Sequence, residues 1–176
     1  DFHFNLATVY RRQNKFDEAI KESEEAIRIN PNSAPAYSDL GYIILGAIIE
    51  KLTGKRLDAV YRELITARLG IAAEIFFCSH AHPQGMTKDH FVASEVCPWR
   101  KKEMRGEVMD ENAWVMGGIA GHAGLFGTGR AIQKILSELR LAQHGKSKLI
   151  SKKIFQEFCQ PDKKRKWSDR SFTLGF

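Results

Sequence analysis

The stretch Pro35 to Gly54, PAYSDLGYIILGAIIEKLTG, constrains this chain more than any other. It reads as one helix. Leu40, Ile43, Ile44, Leu45, Ala47, Ile48, Ile49 and Leu52 place apolar groups on almost every side, which predicts a buried helix rather than one laid on a surface. Gly54, just past the last turn, is a left-handed stop. Gly41 and Gly46 would each cost an isolated helix roughly 1 kcal/mol, so they predict close backbone approach. The polar entry, Tyr37-Ser38-Asp39, carries the side chains of this stretch that could do chemistry.

Composition narrows the field around that helix. The chain has 176 residues, enough for one medium domain or two small ones. With 43% hydrophobic and 27% charged residues it is not a disordered chain. The formal charge of +6 is mild. The two basic runs, Arg100-Lys101-Lys102 and Lys163-Lys164-Arg165-Lys166, read as solvated faces. They lack the aromatic interleaving of a single-strand binder, so no nucleic-acid partner is expected. Cys78, Cys97 and Cys159 lie far apart without a CxxC, which excludes a zinc ribbon and a redox motif of that type. No apolar run approaches the ~20 residues of a bilayer span. The first residues, beginning at Asp1, show no charged and apolar leader, and the compartment stays open. Both ends read as cut, with Phe172 to Phe176 resembling the start of a strand.

Residues 1–34 predict two amphipathic helices. Phe4, Leu6, Ala7 and Tyr10 form the first stripe, and Gln13-Asn14-Lys15 is the turn. Phe16, Ala19, Ile20, Ala26, Ile27 and Ile29 form the second stripe, which ends at Asn30-Pro31. Leu6, Ala7, Tyr10, Phe16, Ala19, Ala26 and Pro31 resemble the register of a tetratricopeptide (TPR) repeat, with Asn14 in place of the usual Gly. The resemblance implies a peptide or protein partner, although one repeat makes little binding surface. Tyr37, Leu40 and Gly41 begin a second repeat that is not continued, which marks AYSDLG as a seam.

Further along, Leu57, Val60, Tyr61, Leu64 and Ile65 predict a helix ending near Leu69-Gly70. Pro83, Gly85 and Pro98 predict long loops over residues 71–105. His80, His82 and His90 fall there and read as exposed loop histidines, not metal ligands. Residues 106–129, GEVMDENAWVMGGIAGHAGLFGTG, predict a tightly packed irregular segment. Thr128 caps a helix with the stripe Ile132, Ile135, Leu136 and Leu139, stopped by Gly145. Ser151 caps another with Ile154, Phe155 and Phe158 inward.

Residues 35–176 resemble the middle of a serine β-lactamase-like hydrolase, the superfamily of class C β-lactamases, penicillin-binding proteins and related esterases. Tyr37-Ser38-Asp39-Leu40-Gly41-Tyr42, Leu45-Gly46, Ile49-Glu50 and Thr53-Gly54 carry the first match. Gly106-Glu107-Val108, Asp110 to Ala113, Gly117-Gly118 and Gly121 to Phe126 carry the second. The resemblance implies acyl transfer by side chains, with no cofactor and no metal. It assigns Tyr37 as the proton-shuttling phenol of the Tyr-x-Asn box. Asp39 stands at the Asn position, where an ionised carboxylate accepts but cannot donate a hydrogen bond. Met109 and Arg68 depart from the residues usual in relatives. No serine has a lysine three residues later. His122-Ala123-Gly124 spells His-x-Gly, but lies in the Gly-rich loop and reads as structural.

The expected fold is therefore mainly α. A TPR-like α-hairpin (residues 1–34) precedes a partial β-lactamase-related domain (residues 35–176). That domain would be the helical lobe of an α+β serine β-lactamase/DD-peptidase-like fold with most of the sheet missing. The expected function is a fragment or degenerate copy of such a hydrolase, taking a small acyl substrate (β-lactam, peptide or ester) if complete. The alternatives are a TPR-type interaction module and a fusion without a function of its own. Family members are often periplasmic or extracytoplasmic.

Overall fold

A computed structural model describes residues 3, 6–7, 9–10, 13, 15–29, 34–79, 82–83, 85–167 and 170–173. Side chains at 16, 23, 26–27, 34–38, 40, 161–167 and 170–173 are not among those described. The chain divides into two compact units, residues 1–62 with 76–126, and residues 63–75 with 127–176. Among the described residues, no helix is long and apolar enough to cross a membrane.

In the first unit, the described residues between 3 and 10 are helical, and the chain turns at Gln13 into α1 (Phe16–Ile29). Ala7 and Ala19 are buried. The described residues on either side of Gln13 are thus helical; Phe4, Asn14, Asn30 and Pro31 lie outside the described residues. α1 packs on α2 (Ala34–Thr53), and Lys51 of α2 pairs with Asp17 of α1.

α2 matches the predicted helix almost residue for residue, and Gly54 ends it at φ +66°. Its environment differs from the expectation. Ile43, Gly46 and Ala47 are buried, but Tyr42, Leu45, Ile49 and Leu52 are exposed, Leu52 at 81%. These four follow an i, i+3, i+7, i+10 pattern and so share one face. The buried face packs with Val108, Ala113, Met116 and Ala120. Gly46 does meet another backbone, since a Cβ there would lie 3.4 Å from Gly121 N. Gly41 does not: nothing lies within 4 Å of that position.

The next helix begins as α3 (Leu57–Tyr61), widens into a π turn (Arg62–Thr66), and ends as α4 (Ala67–Leu69) with Gly70 at φ +65°. The π turn shifts the register of every later residue. Thr66 is buried and Leu64 is half exposed, the reverse of what an unbroken α-helix would give. The loops over 71–105 contain short strands that the sequence did not announce. β1 (Ile75–Phe77) pairs with β4 (Leu125–Gly127). β2 (Val96–Cys97) pairs antiparallel with β3 (Lys102–Glu103), Val96 opposite Glu103. Arg100, read as part of a solvated run, is instead half-buried over Trp99 and Trp114. His90 is exposed and caps a 3₁₀ turn with Thr87, whereas His82 is half-buried and stacks on Phe91 at 5.2 Å; His80 lies outside the described residues. α5 (Glu111–Val115) follows β3.

In the second unit, Leu69, Ile71, Ile75 and Ala131 form the core. Thr128 caps α6 (Gly129–Gln143), its hydroxyl accepting from Ala131 N at 3.2 Å, and Gly145 follows at φ +70°. The covered face of α6 runs through Ala131, Glu138 and Ala142, while Ile132 and Leu136 are exposed. Ser151 caps α7 (Lys152–Phe158), whose Ile154 and Phe158 are also exposed rather than inward. β5 (Pro161–Trp167) and β6 (Arg170–Thr173) form an antiparallel hairpin with an irregular register between Pro161 and Lys166. The second basic run thus lies on a strand. Cys78 and Cys97 are buried free thiols, and Cys159 is half-buried.

Candidate functional site

The site is assembled on α2 by the Gly-rich segment. Arg100 donates to Val108 O at 2.9 Å and to Met109 O, which fixes the backbone just before Asp110. Asp110 caps α5, its Oδ1 accepting from Ala113 N at 2.7 Å. After α5, Gly117 and Gly118 turn the chain at φ +87° and +82°, a conformation glycine adopts without the steric cost of a Cβ. Gly121 then lies directly on α2, where a Cβ would fall 1.9 Å from Tyr42 O. The residue that follows, His122, is thereby placed beside α2.

His122 Nε2 lies 2.8 Å from Asp110 Oδ1, and the imidazole is only 3% exposed. The hydrogen bond from His122, the N–H groups of Ala113 and Asn112 and the charge of the imidazole hold the Asp110 carboxyl below its ordinary pKa, against the opposing effect of burial. His122 Nδ1 is buried and has no hydrogen-bond partner among the described residues.

Asp39, on the second turn of α2, completes the group. Ligand-type atoms of Asp39, Asp110 and His122 all lie within 4.8 Å of one another. The structure therefore brings one sequence-predicted site residue, Asp39, to two residues that sequence reasoning had not given a functional role. His122 was read as structural; it is buried, and it is also part of a polar cluster. The signal for this was present but indirect, since the two motifs that carry the family resemblance are the ones that meet here. Tyr37 lies on the first turn of α2, and its side chain is not among those described.

Elsewhere, Ser94, Ser137, Ser147 and Ser151 are engaged locally. Ser94 and Ser137 donate to Met104 O and Gln133 O, Ser147 donates to Glu138, and Ser151 accepts from Ile154 N. A depression of about 340 Å³ in the second unit is lined by Gly70, Ile71, Glu74, Arg130, Gln133, Lys134 and Ser137. Glu74 and Arg130 on its wall are already paired with each other.

A family model described as Beta-lactamase matches residues 10–176. The match begins inside the segment read as a repeat and includes α1. Proteins provisionally named D-alanyl-D-alanine carboxypeptidase, from Salmonella agona, Salmonella typhi and Salmonella paratyphi B, are 31% identical to the chain over 172 residues. Each alignment takes in 90% of this chain and 38% of the relative, so the chain spans well under half the length of those proteins. No solved structure matches the chain significantly. With the family model covering nearly the whole sequence, and Asp39 meeting the Gly-rich segment in the fold, this chain belongs to the β-lactamase family.

Proposed function

We propose that the chain is the central part of a serine hydrolase that performs acyl transfer on donors ending in D-alanyl-D-alanine, and that these 176 residues do not complete the reaction by themselves. The observation that carries the reading is the meeting, on α2, of the two motifs by which the chain resembles its family: Asp39 from one, Asp110 and His122 from the other. The names of the relatives support the substrate class. In this reading Tyr37 moves the proton and Asp39 accepts a hydrogen bond from a catalytic lysine. General acid–base help of this kind is worth roughly 10²–10⁴-fold, but it needs a nucleophile, whose loss in a serine enzyme costs on the order of a millionfold. No Ser-x-x-Lys sequence occurs in the chain.

The test is covalent labelling of the purified chain with a fluorescent penicillin and a fluorophosphonate, alongside release of D-alanine from a D-alanyl-D-alanine peptide. The expected result is no labelled serine and no release above background. Saturable labelling of any serine would overturn the proposed inactivity. Adding the missing Ser-x-x-Lys and Lys/His-x-Gly segments from a relative should restore labelling, and Tyr37→Phe should abolish it again. Failure to restore it would count against the hydrolase assignment.

A second reading keeps residues 1–34 as a TPR-type module. Burial of the small residues Ala7 and Ala19 in the helix–turn–helix favours it. A saturable peptide or protein partner lost on Tyr10→Ala or Phe16→Ala would support this reading, and a pull-down without any partner would count against it. A fusion at AYSDLG remains the third reading; a long DNA read through codons 30–41 tests it.

A further inference from the structure

We propose that Asp39, Asp110 and His122 form a binding site for a divalent first-row cation, Zn²⁺ foremost. The three side chains come from α2, the cap of α5 and the loop before β4, and their ligand-type atoms lie within 4.8 Å of one another. One imidazole nitrogen and two carboxylate oxygens are a donor set that suits Zn²⁺ or Mn²⁺. The set also leaves coordination positions open for water or another ligand.

A second observation points the same way. The His122 side chain is 97% buried, by its 3% exposure, and its Nδ1 has no hydrogen-bond partner among the described residues. A buried imidazole nitrogen without a hydrogen-bond partner calls for one, and a bound cation is such a partner. Asp39 and Asp110 bring negative charge to the same cluster, which favours a cation there. The arrangement could not be found by spacing in the sequence, because its members lie on three separate elements.

The experiment is equilibrium dialysis of the 176-residue chain against Zn²⁺, in a Cys159→Ser background that removes the half-buried thiol. The expected result is one Zn²⁺ per chain, bound at least about tenfold more weakly after Asp39→Asn or His122→Gln, and equally well after His90→Gln. Absorption of the Co²⁺-substituted chain should show ligand-field bands without a thiolate charge-transfer band. No stoichiometric Zn²⁺ binding, or binding unchanged in both Asp39→Asn and His122→Gln, would overturn the proposal. If His122→Gln fails to fold by circular dichroism, the near-isosteric Asp39→Asn decides alone. The readout involves no acylation, so the hydrolase reading and the cation site can fail independently.

Discussion

Gly121→Ala adds one methyl group where the chain has no room for it. The new Cβ would lie 1.9 Å from Tyr42 O and 2.7 Å from Tyr42 C, so one of the two backbones must move by on the order of 1 Å. Neither yields easily. Tyr42 is followed on α2 by Ile43, which is locked into the core with Val108 and Met116. Gly121 follows Ala120, a member of the same core. Overpacking typically costs 1–3 kcal/mol, and overlap of backbone with backbone belongs at the upper end, about 3 kcal/mol. That is a large share of the 5–15 kcal/mol of a typical domain. Gly41→Ala makes the same chemical change on the same helix, where nothing lies within 4 Å, and should instead stabilise by about 1 kcal/mol. Urea titrations followed by circular dichroism measure both. A Gly121→Ala protein within about 0.5 kcal/mol of its parent would refute the reasoning, as would a destabilised Gly41→Ala.

Other consequences can be read from single contacts. Because the hydrogen bond from His122 and the N–H groups of Ala113 and Asn112 depress the Asp110 carboxyl in the folded state, the stability it contributes is present above the unfolded-state value of 3.8 and is lost as pH falls through the folded one; Asp110→Asn should flatten that acid limb in urea midpoints taken across pH. Thr128→Ala should cost about 1 kcal/mol by removing the cap on Ala131 N, and Thr128→Ser should recover most of it in thermal melts. Glu138, 8% exposed, accepts from Ser147 Oγ at 2.9 Å and Lys148 N at 2.8 Å; Glu138→Ala strands the latter donor and should cost about 1–3 kcal/mol, with Glu138→Gln milder, by the same melts.

Local signals were legible in the sequence because they act over a few residues. Gly54, Gly70 and Gly145 stop helices in left-handed conformations, and Thr128 and Ser151 cap the helices they precede. Coverage was not legible. Periodicity shows where Leu52 or Leu136 lies on its helix, but not which faces find a neighbour. On α6 the covered line passes through Glu138, because Ser147 and the Lys148 amide offer it partners. The π turn at Arg62–Thr66 escaped because apolar spacing assumes an unbroken 3.6-residue repeat. At the site, the family motifs led to Asp39, but its meeting with Asp110 and His122 depends on glycine turns whose direction no short-range pattern encodes.

The three thiols make the chain its own stopwatch. Cys78 and Cys97 are each 1% exposed, while Cys159 is half-buried. A thiol that deep reacts with an alkylating reagent only while its surroundings are open. Burial, reinforced by the charge of Glu107, also pushes the Cys78 thiol above its ordinary pKa, so it is poor in thiolate while the segment stays closed. Cys78 N donates to Gly124 O, and Cys78 O faces Gly118. Its alkylation rate in native buffer therefore times the opening of the Gly-rich segment that carries His122, with Cys159 as the fast internal reference.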